Sequence, residues 1–284
     1  MAKSNPFGAR STADKVLAGV DLTGRRIVVT GCNSGLGFET MSALSANGAV
    51  VIGLARSLQD AWAACAKIAP SCIPVACDLA DLDSVAAAAD TIRALPGALD
   101  AIVANAGIAN LPALQIRSGV EMQFLVNHIG HFALVNRLSD LVRTGTGRIV
   151  IVSSRASINQ TPPEGIMFDN LDGRRFYQPF TFYGQSKLAN ALFAKELSRR
   201  LIARGIAVNS LHPGAARGTG VQSAVHTTPP PSMHSGGLAR CAGSRLRPAP
   251  WRSSQIAKSR LNALVHGIDL QISFPPGVRP AHGH

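Results

Sequence analysis

The 284-residue sequence predicts an α/β fold built on a doubly wound parallel sheet. Three observations carry that prediction. Short apolar runs rich in Val, Ile and Ala recur six times, and a helical pattern separates each run from the next. The composition, 46% hydrophobic but only 5% aromatic, suits helices layered on a sheet better than an all-β core. Strands that are apolar throughout must be covered on both faces, and right-handed crossovers then wind the chain outward from a central strand in both directions. Sheets of this kind bind ligands at the carboxyl ends of their strands, where the strand order reverses.

In order, RIVVTG at 26–31 is the first strand, followed by a helical stretch to about residue 47. AVVIGLA at 49–55 is the second strand, and residues 58–68 are helical. CIPVACD at 72–78 is the third strand; Asp81 then stands as a helix N-cap for residues 81–95. ALDAIVANAG at 98–107 is the fourth strand with its turn, and residues 119–142 read as one long helix. GRIVIVSS at 147–154 is the fifth strand. Residues 183–203 are helical, with Ala189, Phe193, Leu197 and Leu201 stepping by four, and GIAVNSLHPG at 205–214 is the sixth strand and its exit.

The first 20 residues read as a polar lead-in with no apolar signal core, and no apolar run reaches membrane-spanning length. The five cysteines have neither metal-ligand spacing nor an even count, which predicts reduced thiols in a cytoplasmic protein. The formal charge of +12 is unevenly placed, because residues 222–284 hold seven Lys and Arg against one acid, Asp269. That excess lies in a Pro-, Ser- and Gly-rich segment without interleaved aromatics, so neither nucleic acid nor membrane is expected as a partner.

The first strand runs into TGCNSGLG, with glycines at Gly31, Gly35 and Gly37. A glycine cluster between a strand and a helix is the context of a dinucleotide cradle. Gly31 permits the tight turn, Gly35 lets backbone approach a diphosphate, and Gly37 lets the helix pack close to the sheet. Asn33, Ser34 and Leu36 complete the loop, and the helix N-terminus offers free N–H groups to phosphate. The second strand ends at Arg56, with no acid between Val50 and Gln59. A guanidinium there suits a 2′-phosphate where a carboxylate would repel it, so NADP is preferred over NAD. Asp78 and Leu79, at the end of the third strand, are placed to meet the adenine, with a loop cap as the alternative role for Asp78.

These strings resemble the short-chain dehydrogenase/reductase family, in its retinol-dehydrogenase-like branch. The resemblance rests on TGCNSGLG, CDLAD at Cys77, ANAG at Ala104, NHIGHF at Asn127, IVSS ending at Ser154, YGQSK at Tyr183 and HPG at His212, and spans residues 21–214. It implies a Rossmann-like sheet, NAD(P)(H), and interconversion of an alcohol and a carbonyl compound. It also implies a catalytic set of Asn127, Ser154, Tyr183 and Lys187. Asn105, Ala106, Gly107, Pro213 and Gly214 join the cofactor contacts, along with Tyr183 and Lys187. Ser154 is taken over Ser153 because the family uses the second serine of the pair. A homo-oligomer is expected through the two long helices.

The chemistry of that set follows from its residue types. A tyrosine exchanges its proton poorly near neutrality, and an ammonium one helical turn away is expected to lower its pKa. Ser154 would donate to an oxygen as negative charge develops. Asn127 is out of place in an apolar helix, and the resemblance gives it a relay water joining Lys187 to solvent. His128 and His131 read as packing or surface residues. The 28 residues between Ser154 and Tyr183 form an insertion whose Phe168, Leu171, Phe176 and Phe180 would wall an apolar or aromatic substrate.

The pattern breaks after Gly214. Thr219 stands one residue late, and the usual lid and closing strand have no visible counterpart in residues 222–284, an atypical basic tail that reads either as the product of a frame change or as a divergent but real lid. IDLQISF at 268–274 could make an edge strand. The catalytic domain is accordingly bounded at 21–221. A dinucleotide-binding protein with little turnover is the alternative reading, because a lid excludes water from such a site.

Overall fold

A computed structural model describes Phe7 and residues 11–68 and 72–214 of the chain. Thr219 and the readings made for residues 222–284 lie outside the described residues.

Six parallel strands form one sheet: β1 (Arg26–Thr30), β2 (Val50–Ala55), β3 (Cys72–Ala76), β4 (Ala101–Ala104), β5 (Arg148–Val152) and β6 (Ala207–Leu211). Their order is β3-β2-β1-β4-β5-β6, so the chain winds outward in both directions from β1 and β4. This is the Rossmann-like doubly wound sheet read from the sequence, with all six expected strands present. β1 is central because it is apolar on both faces: Val28 and Val29 are fully buried, on opposite sides of the sheet. It pairs Thr30 with Leu54 on one side and Val29 with Val103 on the other.

The helices are α1 (Ala13–Leu17), α2 (Gly35–Ala46), α3 (Leu58–Cys65), α4 (Leu82–Ala94), α5 (122–138), α6 (Ala156–Asn159) and α7 (Pro179–Leu201). One face of the sheet packs on α4, α5 and α7 through a core that includes Val85, Ile92, Leu134, Leu138, Phe193 and Leu197. The other face packs on α1, α2 and α3 through Leu17, Met41, Leu44, Ala61 and Ala64. Residues 13–17 thus depart from the polar lead-in expected of them, since Ala13, Val16 and Leu17 are buried.

The local signals explain most boundaries. The Asp81 carboxylate accepts from the Asp83 and Ser84 amides and starts α4. α7 starts four residues before the expected Tyr183, because Pro179 occupies its first turn and Gln178 Oε1 accepts from the Thr181 amide at 2.6 Å. α5 begins later than expected. Residues 116–121 form a hairpin pairing Ile116 with Glu121 and Arg117 with Val120, and Ser118 (φ 53°) and Gly119 (φ 75°) make its two-residue turn. Two successive left-handed residues cannot continue a helix, so α5 waits for Glu121, whose carboxylate accepts from the Phe124 amide at 2.9 Å. α5 runs through a wider π-helical segment, Leu125–Ile129, before resuming α-helical spacing at Gly130.

The cysteines correct the expectation of five reduced thiols. The end of α3 and the start of β3 lie side by side, with Cα atoms 5.3 Å apart, and Cys65 and Cys72 are joined as a disulfide. Cys32 and Cys77 are free and buried.

Gly130 lets α5 pass close to the loop after β3, since a Cβ there would overlap the Leu79 carbonyl oxygen. Gly130→Ala is therefore expected to destabilise the chain by about 1–3 kcal/mol. Urea unfolding of the two proteins measures it, and an unchanged midpoint would contradict this packing.

Candidate functional site

The carboxyl ends of the six strands open into a cleft of about 1070 Å³ lined among the described residues by strand ends, loops and α7. It lies where the topology directs, beside the reversal of strand order between β1 and β4.

At one end the loop after β1 contributes Gly31, Asn33, Ser34, Gly35, Leu36 and Gly37 to the wall. Gly31 (φ 68°) and Gly35 (φ 55°) are left-handed. Gly37 has an ordinary φ but no room: a Cβ would overlap the Gly31 carbonyl oxygen and sit 2.6 Å from Asn105 Nδ2. Any side chain at 37 would lift α2 off the loop. Thr30 fixes the other side of this cradle, its hydroxyl oxygen accepting from the amides of Asn105 and Ala106, each at 2.9 Å. Asn105, Ala106 and Gly107 line the cleft next to it, and Pro213 and Gly214 do so from the exit of β6.

Arg56 lines the cleft at the end of β2, exposed and without a side-chain partner among the described residues. Asp60 lines it too, but its carboxylate accepts from the Ser57 hydroxyl at 2.7 Å. Asp78 and Leu79 line the same region. The Asp78 carboxylate caps its own loop through the Ala80 amide at 3.0 Å and pairs with Arg117 of the hairpin at 3.0 Å. Arg117 also reaches Asp81 at 3.2 Å, so the hairpin is tied to the β3–α4 turn.

Ser154, Tyr183 and Lys187 meet at the other end. Ser153 also lines the cleft, but its hydroxyl is engaged elsewhere, donating to the Lys187 carbonyl at 2.6 Å. The Lys187 amine is buried, donates to the Val152 carbonyl at 3.1 Å and lies 5.7 Å from the centroid of the Tyr183 ring. Burial with no carboxylate to offset it lowers the Lys187 pKa to about 8. Burial raises the Tyr183 pKa, and a hydrogen bond with Ser154 draws it back. This corrects the expected lowering of the tyrosine by the lysine, because desolvation of the phenol outweighs the pull of its neighbours here.

Asn127 does not reach the cleft. It is fully buried behind the wall, inside the π segment. Its Oδ1 accepts from the Ile108 amide at 2.8 Å, and its Nδ2 donates to the Ile108 carbonyl at 2.9 Å and to the Ser186 hydroxyl at 3.0 Å. The side chain thus holds the strand exit against α7. Of the four residues expected to wall a substrate, only Phe180 lines the cleft. Phe168 and Phe176 are 75% and 52% exposed on the outside of the insertion, and Leu171 offers its carbonyl to the Glu121 amide. The apolar wall comes instead from Ile108, Leu111, Met122 and Val126.

Sequence reasoning missed a buried polar group behind that wall. Gln123 is fully buried; it accepts from the Asn110 amide at 2.7 Å and donates to Glu121 and the Pro179 carbonyl. The Tyr177 hydroxyl donates to the Leu111 carbonyl at 2.7 Å. The signal was in the sequence: Gln123, Asn127 and His131 recur every four residues and so share one face of the helix.

A family model described as short chain dehydrogenase matches residues 25–167. The chain is 38% identical over 219 residues to a WW domain-containing oxidoreductase of Pongo abelii, covering 73% of this chain and 53% of that protein. It thus spans about half the length of that relative. It is 44% identical over 201 residues to a probable oxidoreductase of Streptomyces lividans, covering 69% of this chain and 65% of the other. A solved structure of an uncharacterised protein from Mycobacterium paratuberculosis superposes with a TM-score of 0.62 at 36% identity, covering 69% of this chain and 70% of that one.

The lowered pKa of Lys187 gives a sign-definite prediction. The unfolded chain holds this proton up to the ordinary lysine value of 10.5, whereas the folded one releases it near 8. Between those values the unfolded state binds more protons, so this group makes stability rise with pH. Lys187→Met is expected to remove that rise. Chemical denaturation at pH 7.5 and pH 9.5 checks it; an identical pH dependence in both proteins would refute the buried-amine assignment.

Proposed function

This chain belongs to the short-chain dehydrogenase family of oxidoreductases, and from that premise we propose that it interconverts an alcohol and a carbonyl compound with NADP(H), using Tyr183 as general acid and base. The observation that carries the proposal is the meeting of Tyr183, Ser154 and the buried Lys187 amine on one cleft with a glycine loop that excludes every side chain at 37.

The residues present fit a dinucleotide. The Gly31–Gly37 loop and the start of α2 offer backbone N–H groups to a diphosphate, Asp78 and Leu79 flank the adenine end, and Asn105, Ala106, Gly107, Pro213 and Gly214 border the rest of the cleft. The unpartnered Arg56 guanidinium supports NADP over NAD, because it stands where a 2′-phosphate would need a cation. When bound, the nicotinamide supplies or accepts the hydride.

The protein's part is charge and proton. In the reducing direction the Tyr183 hydroxyl gives its proton to the substrate oxygen, and its raised pKa keeps it in the acid form until then. The Ser154 hydroxyl donates to the same oxygen as it gains charge. Lys187, 5.7 Å from the ring centroid, presents positive charge to the phenolate left behind. In the oxidising direction the same groups act in reverse. Asn127 serves from behind the wall, clamping Ile108 and Ser186 so that the cleft and α7 keep their spacing.

Ile108, Leu111, Met122, Val126 and Phe180 support a substrate with an apolar or aromatic body. The docking of Leu171 and Tyr177 onto the start of α5 and the β4 exit supports the retinol-dehydrogenase-like branch, to which the insertion bears its resemblance. Phe132 on α5 and Leu192 on α7, 47% and 44% exposed, support a homo-oligomer across the two long helices. The catalytic domain, bounded at 21–221 from the sequence, takes in α1 as well, because Ala13 and Leu17 pack into the same core.

Two outcomes follow. Tyr183→Phe should lower kcat on a carbonyl panel by about 10²–10⁴-fold while leaving the NADPH dissociation constant within about threefold; undiminished turnover would exclude the tyrosine as acid. Arg56→Asp should shift the NADPH-over-NADH preference in kcat/KM toward NADH by about tenfold or more. Parallel kinetics with both cofactors read the shift, and an unchanged ratio would remove Arg56 from phosphate recognition.

A further inference from the structure

His131 lies fully buried on α5, one turn after Asn127. Its Nδ1 is 2.9 Å from the Asn127 carbonyl oxygen, and its Nε2 is 2.8 Å from the Thr30 hydroxyl. These partners fix the tautomer. A carbonyl oxygen only accepts, so Nδ1 carries the proton. The Thr30 oxygen already accepts from two amides, Asn105 and Ala106. Its one proton therefore goes to Nε2, which must be bare. Every lone pair and hydrogen is used, and the ring is neutral.

A second proton on this ring would face a hydroxyl oxygen with no capacity left. It would also meet the positive charge of Lys187, with His128 as the other titratable group nearby. Burial adds to this and brings the His131 pKa down to about 4. The neutral form therefore persists well below neutral pH.

We propose that His131 is a positioning residue for the reaction: a neutral Nδ1–H imidazole that ties the π segment of α5 to the end of β1 and so sets the register between the nucleotide cradle and the Tyr183–Lys187 helix. The inference rests on the oxidoreductase reading given above. Its path is a continuous run of hydrogen bonds. Thr30, directly before the glycine loop, holds the ring; the ring holds the Asn127 carbonyl. The Asn127 amide holds the Ser186 hydroxyl, which donates to the Tyr183 carbonyl at 2.8 Å. The π segment gives this link its reason. It shifts the helical ladder to the wider pattern, with the Gly130 amide bonded to the Leu125 carbonyl, and the His131 side chain takes up the carbonyl at the point of the shift. The predicted role of the residue, packing or surface, accounts for its burial but not for two bonds that join β1 to α5.

Three measurements on the full chain test it. The ¹⁵N spectrum of histidine-labelled wild type should show a ring, absent from the H131Q spectrum, that is protonated at Nδ1 and bare at Nε2 at pH 7 and unchanged at pH 5.5; the opposite tautomer, or a charged ring, for that signal overturns the proposal. His131→Phe keeps the volume without either bond, and His131→Gln keeps an N–H for the Asn127 carbonyl. H131F should hold NADPH within about threefold of wild type by fluorescence yet lose about tenfold or more in kcat, and H131Q should recover most of that loss. Equal kcat in wild type and H131F, or equal losses in H131F and H131Q, would reduce the ring to a filler. Should H131F fail to fold, the spectrum and the H131Q kcat decide, with an H131Q loss beyond about tenfold counting against the hydrogen bond. A wild type that turns over no carbonyl sinks the oxidoreductase reading and this role with it. A working wild type beside an equally working H131F sinks this role alone.

Discussion

The Lys187 amine is buried with a carbonyl for company and no carboxylate. Much of the site can be understood as the accommodation of that one group. Burial of a charge without a counter-ion is unfavourable, which is why the amine titrates near 8. The cost is limited by the Val152 carbonyl at the end of β5, which accepts from the amine. It is also limited by space at the end of β4. A Cβ on Gly107 would stand 3.4 Å from the amine and 3.2 Å from Asn127 Oδ1, so the glycine leaves both polar groups unobstructed. The parallel sheet thus does more than carry the site. Its adjacent strand ends supply the acceptor and the gap that let a lysine sit inside the protein.

The same burial sets the state of Tyr183. Reasoning from charge alone, the lysine should lower the tyrosine; reasoning from solvent, both groups are pushed toward their neutral forms. The structure follows the second argument, with the phenol raised and the amine lowered. At neutral pH the phenol therefore keeps its proton, and the amine, below its value of about 8, keeps its charge. Among the described residues the Ser154 hydroxyl acts the other way, through a hydrogen bond that draws the phenol back down.

The parts legible in the sequence were those governed by local rules. Six strands, the Asp81 cap and the glycine loop each follow from spacing and residue type over a few positions. Gly37 could be read as a close-packing residue before any coordinates, and its missing Cβ is what permits the contact with Gly31. What could not be read depends on partners far along the chain. The hairpin at 116–121 resembles a helix start in apolar pattern alone, and only the paired left-handed residues Ser118 and Gly119 separate the two. Cys65 and Cys72 looked like scattered thiols because nothing in their spacing says that α3 ends beside β3. The pKa of Tyr183 was misjudged because desolvation is a property of the packed interior.

Gln123, Asn127 and His131 show how the remaining gap closes. Each is a polar residue, and each is fully buried, a combination that is unfavourable unless its hydrogen bonds are satisfied. Satisfaction required partners that each side chain could reach only in the packed fold: the Asn110 amide for the first, the Ile108 backbone for the second, and the Thr30 hydroxyl, beside the helix's own Asn127 carbonyl, for the third. Two of the three side chains hold the exit of β4, and the third reaches β1 beside it. A helix that only needed to cover the sheet would present leucine at these positions. Spending three buried polar groups along one face makes sense where the position of the strand exits must be fixed, and those exits are what separate the glycine loop from Tyr183 and Lys187.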